Sequence, residues 1–402
     1  MLSINFIESD KFYQGEYYYL LLSSLLGALV VSSSRDLLTI FIGIELASTP
    51  MFLLSGWKKG DRKSNEGAIK FFLLGVLSAS LILYGFSLIY GLTGQLVFAD
   101  ISAYLLANSL GSSPVLLLSA ILVISGIGFK ISVVPFHSWA PDTYEGAPLP
   151  ITAYLSVSSK ATGFVALIVL LTKVFESSGQ SWGVILAIVA GATMTLGNLV
   201  ALQQTNPVRL LAYSSISQAG FIIAPLAVSG ITGNYQDGIF ASVTYLIIYA
   251  FMNIGAFLSV HLFTNFTKSD NFYEWGGIAK HSPLAGVLTT VFFFSLAGIP
   301  PLGGWFAKFV VFRSLLSTGE IIGISLAIVG AINAVIALVY YARISKVIWM
   351  DELKNPEEEK SFEFQSPLKV VGALTVLITF VAGIFPGIFS YLGEVSSIFF
   401  GN

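Results

Sequence analysis

The sequence predicts an all-α membrane protein of about eleven transmembrane helices. Only 10% of the 402 residues are charged, 55% are hydrophobic, and apolar runs recur along the whole chain. Soluble domains carry about 25% charged residues, and a run of about 20 apolar residues spans the hydrocarbon core of a bilayer. The net charge of −2 offers no basic surface for nucleic acid. The absence of cysteine excludes thiolate-held zinc and iron–sulfur clusters within this chain.

The apolar runs place the helices to within a few residues. The predicted spans are 17–33, 36–56, 67–91, 114–134, 148–175, 181–204, 207–229, 237–262, 283–317, 321–350 and 368–396. Residues 1–16 are mostly polar and lack a small-residue cleavage site, so we expect an N-terminal inner segment rather than a cleavable signal peptide.

The ninth span is too long for one straight membrane helix. Thirty-five residues would extend about 50 Å, against a hydrocarbon core of about 30 Å. Its middle contains Gly298, Pro300, Pro301, Gly303 and Gly304. We therefore expect two half-helices, because unpaired backbone is tolerated in a membrane where it lines protein or a wet cavity.

The positive residues between the spans predict the orientation. Alternating assignment places only Arg35, Lys173 and Arg313 on one side. The other side receives Lys11, Lys58, Lys59, Arg62, Lys63, Arg209, Lys268, Lys280, Arg343, Lys346, Lys354, Lys360 and Lys369. The positive-inside rule then puts the N-terminus inside and the C-terminus outside. The acidic stretch 351–367 is predicted to be a solvated inner loop.

Two segments five spans apart share a pattern of glycines followed by lysine. They are SGIGFKISVV at 125–134 and AGIPPLGGWFAKFVV at 297–311. An odd offset makes the two copies inverted, as in many transporters. The predicted units are a first five-helix half-channel at 17–175, a second, inverted one at 181–350, and a C-terminal helix at 368–402.

Five ionisable residues remain inside the predicted spans: Glu45, Lys70, Lys130, Lys160 and Lys308. A charged residue at mid-membrane costs about 2.5–3.5 kcal/mol on insertion scales, so the set costs as much as a typical domain's whole stability. We expect Lys130 and Lys308 to follow the two glycine breaks. Lys70 lies near the inner end of its span, where it can also snorkel.

Structural ion pairs are the alternative explanation for these residues. Three lysines share one well-placed carboxylate, however, and burial disfavours the charged form of an amine. A line of such groups, joined by water and hydroxyls, is a proton relay. His137, seven residues after Lys130, has a side chain suited to proton exchange, although a histidine at this position can equally be structural. His261 and His281 are predicted to be surface residues.

Polar residues inside the spans are the candidate links of such a relay. Hydroxyls in membrane helices more often bond their own backbone or a neighbouring helix, so each is a weaker candidate than the lysines. These residues are Tyr154, Ser156, Ser158, Ser159, Thr193, Thr195, Asn198, Tyr213, Ser214, Ser215, Ser217 and Gln218. No nucleotide-binding or HExxH motif is present, so neither nicotinamide nor nucleotide chemistry is expected in this chain.

Five motifs together resemble a known family. They are GIEL (43–46), GFKISVVPFHSWAPDTYEGAP (128–148), SSKATGF (158–164), RLLAYSSISQAG (209–220) and SLAGIPPLGGWFAKF (295–309). From about residue 17 to the end, the chain resembles the antiporter-like membrane subunits of NADH–quinone oxidoreductase, respiratory complex I. The PFH-W-PD-YEG pattern followed by Lys160 resembles the N type, subunit 2 in mitochondria. Lys308 argues against the M type, and the early chain end argues against the L type.

The resemblance implies a role for each buried charge. Glu45 would pair with Lys130, Lys160 would be the central relay with His137 beside the broken helix, and Lys308 would exchange protons with the outer side. Lys70 would assist. NADH, flavin, iron–sulfur clusters and quinone would be bound by partner subunits and none of them by this chain. The implied partners are an M-type antiporter-like subunit, the small A/J/K-type subunits and the lipid bilayer.

The chain begins at what would be the family's fourth helix. A genuine loss, a misplaced start codon and a split gene all remain open as explanations. The implied location is the cell (inner) membrane or an organellar energy-converting membrane. The alternative functions are a subunit of a multi-subunit Na⁺/H⁺ antiporter or membrane-bound hydrogenase, a non-pumping scaffold and, least favoured, a small-solute transporter.

Overall fold

A computed structural model describes residues 2–9, 15–352 and 366–401. Predictions that involve Lys11, Lys354, Lys360 and most of the acidic inner loop therefore lie outside the described residues. The helices are α1 Leu2–Ser9, α2 Glu16–Ser33, α3 Leu37–Ser55, α4 Arg62–Thr93, α5 Phe98–Ala107, α6 Pro114–Ile131, α7 Trp139–Gly146, α8 Leu149–Tyr154, α9 Lys160–Lys173, α10 Gly179–Ala201, α11 Pro207–Thr232, α12 Tyr235–Thr267, α13 Ile278–His281, α14 Pro283–Ala297, α15 Gly303–Ser317, α16 Ile321–Met350, α17 Ser366–Ile384 and α18 Gly387–Gly401.

The predicted all-α membrane architecture is confirmed. Ten helical stretches in the described part of the chain are long and apolar enough to cross a membrane, with α8 and α9 counted as one. The broken pair α14 and α15 supplies the eleventh crossing. Among these residues the extended structure is limited to one isolated bridge between Asp36 and Val97. The polar helix α11 lies almost entirely inside the bundle, against α10 and α12.

The ninth span is broken where its glycines and prolines predict. Helix α14 ends at Ala297, and Gly298 follows with φ +94°. Helix α15 begins at Gly303. A Cβ at Gly304 would lie 1.7 Å from the carbonyl oxygen of Ser295, so only glycine lets the second half-helix pack against the end of the first.

The break in the fourth span lies later than its glycines predict. Helix α6 runs without interruption through Gly126 and Gly128 to Ile131, and the chain turns at Ser132 with φ +59°. Lys130 therefore precedes the break, and the expectation that it follows is wrong. Gly126 instead allows close packing on α4, because a Cβ there would lie 2.7 Å from the carbonyl oxygen of Ser78.

Two further interruptions were not predicted. Residues Leu155–Ser159 form a π-helical turn between α8 and α9, directly before Lys160. Such turns inside helices are frequent at functional sites. The last predicted span, 368–396, divides into α17 and α18 around Pro386, whose ring and missing N–H cannot continue a helix.

Candidate functional site

Lys130 and Glu45 form an ion pair between α6 and α3. Lys130 Nζ lies 3.3 Å from Glu45 Oε1 and donates to Ser48 Oγ at 2.9 Å. The lysine side chain is 6% exposed and the glutamate 28%. The rings of Phe52 and Phe129 lie within 6 Å of the ammonium, at 5.6 and 5.9 Å from centroid to Nζ. The predicted pair is therefore present, with α3 supplying the acid and α6 the amine.

A small cavity adjoins Lys130 on the side of α9. Its volume is about 10 Å³, and its lining includes Ser48, Lys130, Ser159 and Thr162. A space of this size holds about one water molecule where two or more polar groups face it. The cavity therefore connects the ammonium of Lys130 to the π turn that precedes Lys160.

Lys160 is buried and bonded only to neutral groups. Its Nζ donates to the carbonyl oxygen of Ser215 at 2.9 Å and to Ser215 Oγ at 2.6 Å. Tyr249 donates its hydroxyl to the same Ser215 Oγ at 2.9 Å. Within the described residues no carboxylate pairs with Lys160. Its charge is therefore stabilised by dipoles rather than by a counter-ion.

Lys308 occupies the gap between the two half-helices. Its Nζ donates to the carbonyl oxygens of Ala297 at 2.6 Å and of Leu296 at 3.2 Å. These carbonyls end α14, where the helix dipole places partial negative charge. The ring of Phe221 lies 5.3 Å from Nζ. Here too, no carboxylate partner occurs in the part of the chain that is described.

A buried polar cluster lies between Lys160 and Lys308. Gln218 donates Nε2 to the carbonyl oxygen of Leu296 and accepts a hydrogen bond from the hydroxyl of Tyr245. Tyr341 lies 3.4 Å from Gln218 Nε2 and shares a hydrogen bond with Ser214. Ser214 is the chain neighbour of Ser215, the partner of Lys160. Polar groups on α11, α12 and α16 therefore lie between the two lysines, in two hydrogen-bonded sets that meet at the backbone between Ser214 and Ser215.

A second polar cluster extends from α16 to α10. Tyr340 donates its hydroxyl to Asn198 Oδ1 at 2.9 Å, and Asn198 donates Nδ2 to Asn333 Oδ1 at 3.0 Å. Asn333 donates in turn to Thr195 Oγ1 at 3.2 Å. Interhelical bonds of this kind hold membrane helices together, so these groups connect the helices at the edge of the site.

His137 lies in the segment that separates α6 from α7. Its ring is half-buried, and its Nδ1 has no hydrogen-bond partner among the described residues. The backbone nearby is held by Thr193, whose Oγ1 accepts a hydrogen bond from the N–H of Val134 at 3.0 Å. His137 thus lies just after the end of α6, and its ring makes no hydrogen bond to Lys130 or Lys160 among the described residues.

Lys70 lies apart from the buried lysines, at the end of the bundle where α4 and α11 begin. It is 43% exposed and pairs with Asp142 at 2.6 Å and with Glu66 at 2.7 Å. Burial would raise the pKa of the Asp142 carboxyl, but the hydrogen bonds from Lys70 and Arg209 outweigh it, so this pKa lies below its usual value. Burial would likewise raise the pKa of Glu145, but the hydrogen bonds from Lys63 and Arg209 outweigh it, so this pKa also lies below its usual value.

Sequence reasoning missed the polar residues contributed by α12 and α16. Tyr245, Tyr249 and Asn253 recur at intervals of four and are all buried on one side of α12. This spacing was the available signal, because residues four apart share a helix face. Asn253 Nδ2 donates to Ser156 Oγ of the π turn at 2.7 Å. The described residues contain no group of three His, Asp or Glu side chains that could hold a metal ion.

The sequence was next compared with known families. The model of the NADH:quinone oxidoreductase/Mrp antiporter transmembrane family matches residues 34–336. The chain belongs to this family. The matched region contains Glu45, Lys130, Lys160 and Lys308, whereas Tyr340 and Tyr341 of the polar clusters lie just beyond it.

Relatives within the NADH:quinone oxidoreductase/Mrp antiporter family are similar over nearly the whole chain. NADH-quinone oxidoreductase subunit N of Moorella thermoacetica is 39% identical over 384 residues, which cover 96% of this chain and 78% of that relative. The chloroplastic NAD(P)H-quinone oxidoreductase subunit 2 of Mesostigma viride is 38% identical, with 96% of this chain and 77% of the relative covered. These names confirm the N-type resemblance.

Three solved structures share the fold of this chain. A chain of respiratory complex I from Thermus thermophilus matches with a TM-score of 0.76 and 28% identity, covering 95% of this chain and 81% of that chain. A chain of an archaeal membrane-bound sulfane sulfur reductase matches with a TM-score of 0.85 and 26% identity, covering 96% and 76%. The Mrp complex from Dietzia matches with a TM-score of 0.83 at 20% identity, covering 95% and 77%, which shows the fold alone.

Proposed function

We propose that this chain is a proton-translocating membrane-arm subunit of NADH–quinone oxidoreductase. The observation that carries the proposal is the placement of Lys130, Lys160 and Lys308 inside the bundle, each 6% exposed or less. Two of these three amines bond only to neutral groups. An ammonium without a counter-ion in a medium of low polarity gives up its proton readily. Such a group suits proton exchange better than structural pairing.

The proposed relay follows the contacts between these groups. A proton held by the Glu45–Lys130 pair would pass through the water-sized cavity towards Lys160, with His137 serving the inner side of the broken helix. From Lys160 it would move along the Ser215 and Tyr249 hydroxyls and the Gln218 cluster to Lys308. Lys308 would release it to the outer side. Lys70 would assist through its charge at the inner edge.

The charges of Glu45, Lys130 and Lys160 are coupled in this proposed relay. Glu45 stabilises the charged form of Lys130, whereas a second positive charge on Lys160 repels it. A shift of the acid towards or away from Lys130 therefore changes how readily Lys160 holds a proton. In the proposed complex this shift originates in quinone reduction by other subunits, which would bind NADH, flavin, iron–sulfur clusters and quinone. The chain itself would act as one subunit of a translocase and hold no redox centre.

The proposed architecture follows from the same assignment. Residues 17–175 and 181–350 would form two inverted half-channels, with the N-terminus inside and the C-terminus outside an inner or organellar membrane. Glu45 is partly exposed on the outside of the bundle, where lipid would be costly for a carboxylate. A neighbouring M-type or small A/J/K-type subunit would cover that face.

The second candidate is a subunit of a multi-subunit Na⁺/H⁺ antiporter or membrane-bound hydrogenase. The fold shared with the Mrp complex and the sulfane sulfur reductase favours it. Affinity purification of the tagged chain from its native membrane distinguishes the two. Co-purification of flavin and iron–sulfur subunits with NADH–quinone reductase activity supports the leading proposal, and a complex without them supports an antiporter.

The relay is tested in the purified complex reconstituted in vesicles. We expect Lys160→Ala and Lys308→Ala to assemble and to lose most NADH-driven proton uptake, measured with a pH-sensitive dye inside the vesicles. Lys173→Ala is the matched control, because Lys173 lies on α9 as Lys160 does, but in its last turn. Full proton uptake by both relay variants would reject the relay and favour a scaffold.

A further inference from the structure

Six charged side chains from α4, α7 and α11 alternate in sign and form one continuous series of ion pairs, here called the ion-pair chain. The pairs are Lys63–Glu145 at 2.8 Å, Glu145–Arg209 at 2.8 Å, Arg209–Asp142 at 2.8 Å, Asp142–Lys70 at 2.6 Å and Lys70–Glu66 at 2.7 Å.

The two ends of the ion-pair chain differ from its centre. Lys63 and Glu66 are 65% and 55% exposed, so water and salt screen their interactions. Arg209 at the centre is 28% exposed, and its Nη1 donates to both Asp142 and Glu145. A guanidinium that holds two carboxylates fixes their relative position more tightly than a single exposed pair does. Arg209 is therefore the member that determines the geometry.

Helix α7 is seated closely on α4. A Cβ at Gly67 would lie 2.8 Å from the carbonyl oxygen of Asp142, and one at Gly146 would lie 2.3 Å from that of Lys63. Thr143 Oγ1 also donates to the carbonyl oxygen of Gly67 at 3.0 Å. Such contacts between backbones leave no room for sliding, so α7 moves together with α4. Arg209 then determines how this pair of helices is placed relative to α11.

The ion-pair chain reaches both lysine sites through short connections. At the start of α7, Trp139 Nε1 donates to the carbonyl oxygen of Phe129, the residue next to Lys130, at 2.9 Å. On α11, Arg209 precedes Ser215 by six residues, and Ser215 is the hydrogen-bond partner of Lys160. Arg209 and Trp139 together therefore link α11, which carries the acceptor of Lys160, through α7 to α6, which carries Lys130.

We propose that Arg209 is a positioning residue that ties the Lys130 site to the Lys160 site, with the ion-pair chain as its anchor. This inference rests on the proposed proton relay and names the element that holds its two halves in register. Loss of the guanidinium frees α11 from α7, so that Ser215 no longer stays aligned with Lys160. Proton transfer between the two lysines then slows, while the lysines themselves are intact.

The test compares NADH-driven proton uptake and NADH oxidation in vesicles containing the purified complex. Arg209→Met keeps the length of the side chain and removes its charge. We expect it to lower proton uptake per NADH oxidised roughly threefold, within the range for residues that carry coupling. Arg313→Met is the matched control, because it removes an exposed arginine–carboxylate pair with Asp237 elsewhere in the chain and should leave the ratio unchanged.

Rescue separates positioning from mere loss of stability. Arg209→Lys retains a positive charge and should recover part of the ratio, and Asp142→Asn combined with Arg209→Met should lower it no further than Arg209→Met alone.

A wild-type ratio in Arg209→Met, or equal losses in Arg313→Met, overturns the inference. If Arg209→Met does not assemble, Arg209→Lys and Asp142→Asn decide by the same ratio, and wild-type values in both overturn it. Loss of uptake in Lys160→Ala with none in Arg209→Met rejects this inference alone, whereas full uptake in both Lys160→Ala and Lys308→Ala rejects the relay.

Discussion

Gln218 and Lys308 donate hydrogen bonds to the same acceptor, the carbonyl oxygen of Leu296, each at 3.2 Å. The carbonyl ends α14 at the break in the ninth span. The amide of Gln218 on α11 and the amine of Lys308 on α15 are therefore connected through one shared oxygen atom. Because Gln218 also contacts Tyr245 and Tyr341, hydrogen bonds connect Lys308 to the polar cluster that lies towards Lys160.

Replacement of Gln218 by methionine should slow proton transfer between Lys160 and Lys308. Methionine has a similar length and flexibility but cannot make the bonds to Leu296 or Tyr245. We expect NADH-driven proton uptake to fall roughly two- to thirty-fold, as for other mutations along coupled networks. Ser242→Ala is the control. Ser242 Oγ on α12 donates to the carbonyl oxygen of Ile222 on α11, so this bond also joins α11 to α12, but it does not reach a lysine. Equal uptake in both variants would contradict the prediction.

The ion pair between Glu45 and Lys130 should set the first step of the relay. In Glu45→Gln the amine loses its carboxylate partner but keeps Ser48, so the complex should assemble with reduced proton uptake. Glu45→Asp preserves the charge and should restore part of the activity. The measurement is proton uptake at equal amounts of assembled complex. Normal uptake in Glu45→Gln would show that the carboxylate is dispensable.

The lowered pKa values of Asp142 and Glu145 predict a loss of stability in acid. Their pKa values lie below the ordinary 3.8 and 4.5, so the stabilisation is complete above those values and disappears as the pH falls through the lowered pKa of each group. The Tm of the purified complex should therefore decline below about pH 4, because the carboxylates of Asp142 and Glu145 become protonated and lose their ion pairs. Asp142→Asn should show a lower Tm near neutral pH and a shallower acid decline. An unchanged profile in Asp142→Asn would count against the ion-pair chain as a stabilising element.

Gly304→Ala should destabilise the broken helix. The added methyl group would meet the carbonyl oxygen of Ser295 at 1.7 Å, so the half-helices must separate. We expect a loss of about 1–3 kcal/mol or more, as for overpacked interiors. Gly91→Ala is the matched control, since its methyl group would meet nothing within 4 Å and should stabilise α4 slightly. Thermal unfolding of the two variants measures the difference.

The features predicted from the sequence are those that obey one strong rule. Excess length and clustered glycine and proline located the break around Gly298, and the cost of burying charge identified Lys130, Lys160 and Lys308. The break near Lys130 was misplaced because glycine serves two purposes. Gly126 permits close helix packing, since a Cβ there would lie 2.7 Å from the carbonyl oxygen of Ser78, whereas the turn at Ser132 carries no glycine.

Other parts of the site were beyond sequence reasoning because they depend on contacts between distant segments. The spacing of Tyr249 indicates a shared helix face but not its partner Ser215. Tyr341 reads as an ordinary apolar residue of a membrane helix, and only packing brings its hydroxyl to Ser214. The residues of the π turn, Leu155–Ser159, do not differ in composition from those of an ordinary α-helix, so no signal in the sequence indicates it. The pairing of Lys70 with Asp142 joins residues 72 positions apart, so a lone lysine near a helix end gave no sign of its partners.

The π turn at Leu155–Ser159 has a consequence for the direction in which Lys160 points. A π turn contains one residue more than an α turn would, and each residue rotates a helix by about 100°. If this turn closed into regular α-helix while α8 stayed fixed, the amine would swing away from Ser215 by about a quarter of a revolution. The extra residue in the π turn therefore fixes the rotation of α9 at which Lys160 faces Ser215 on α11.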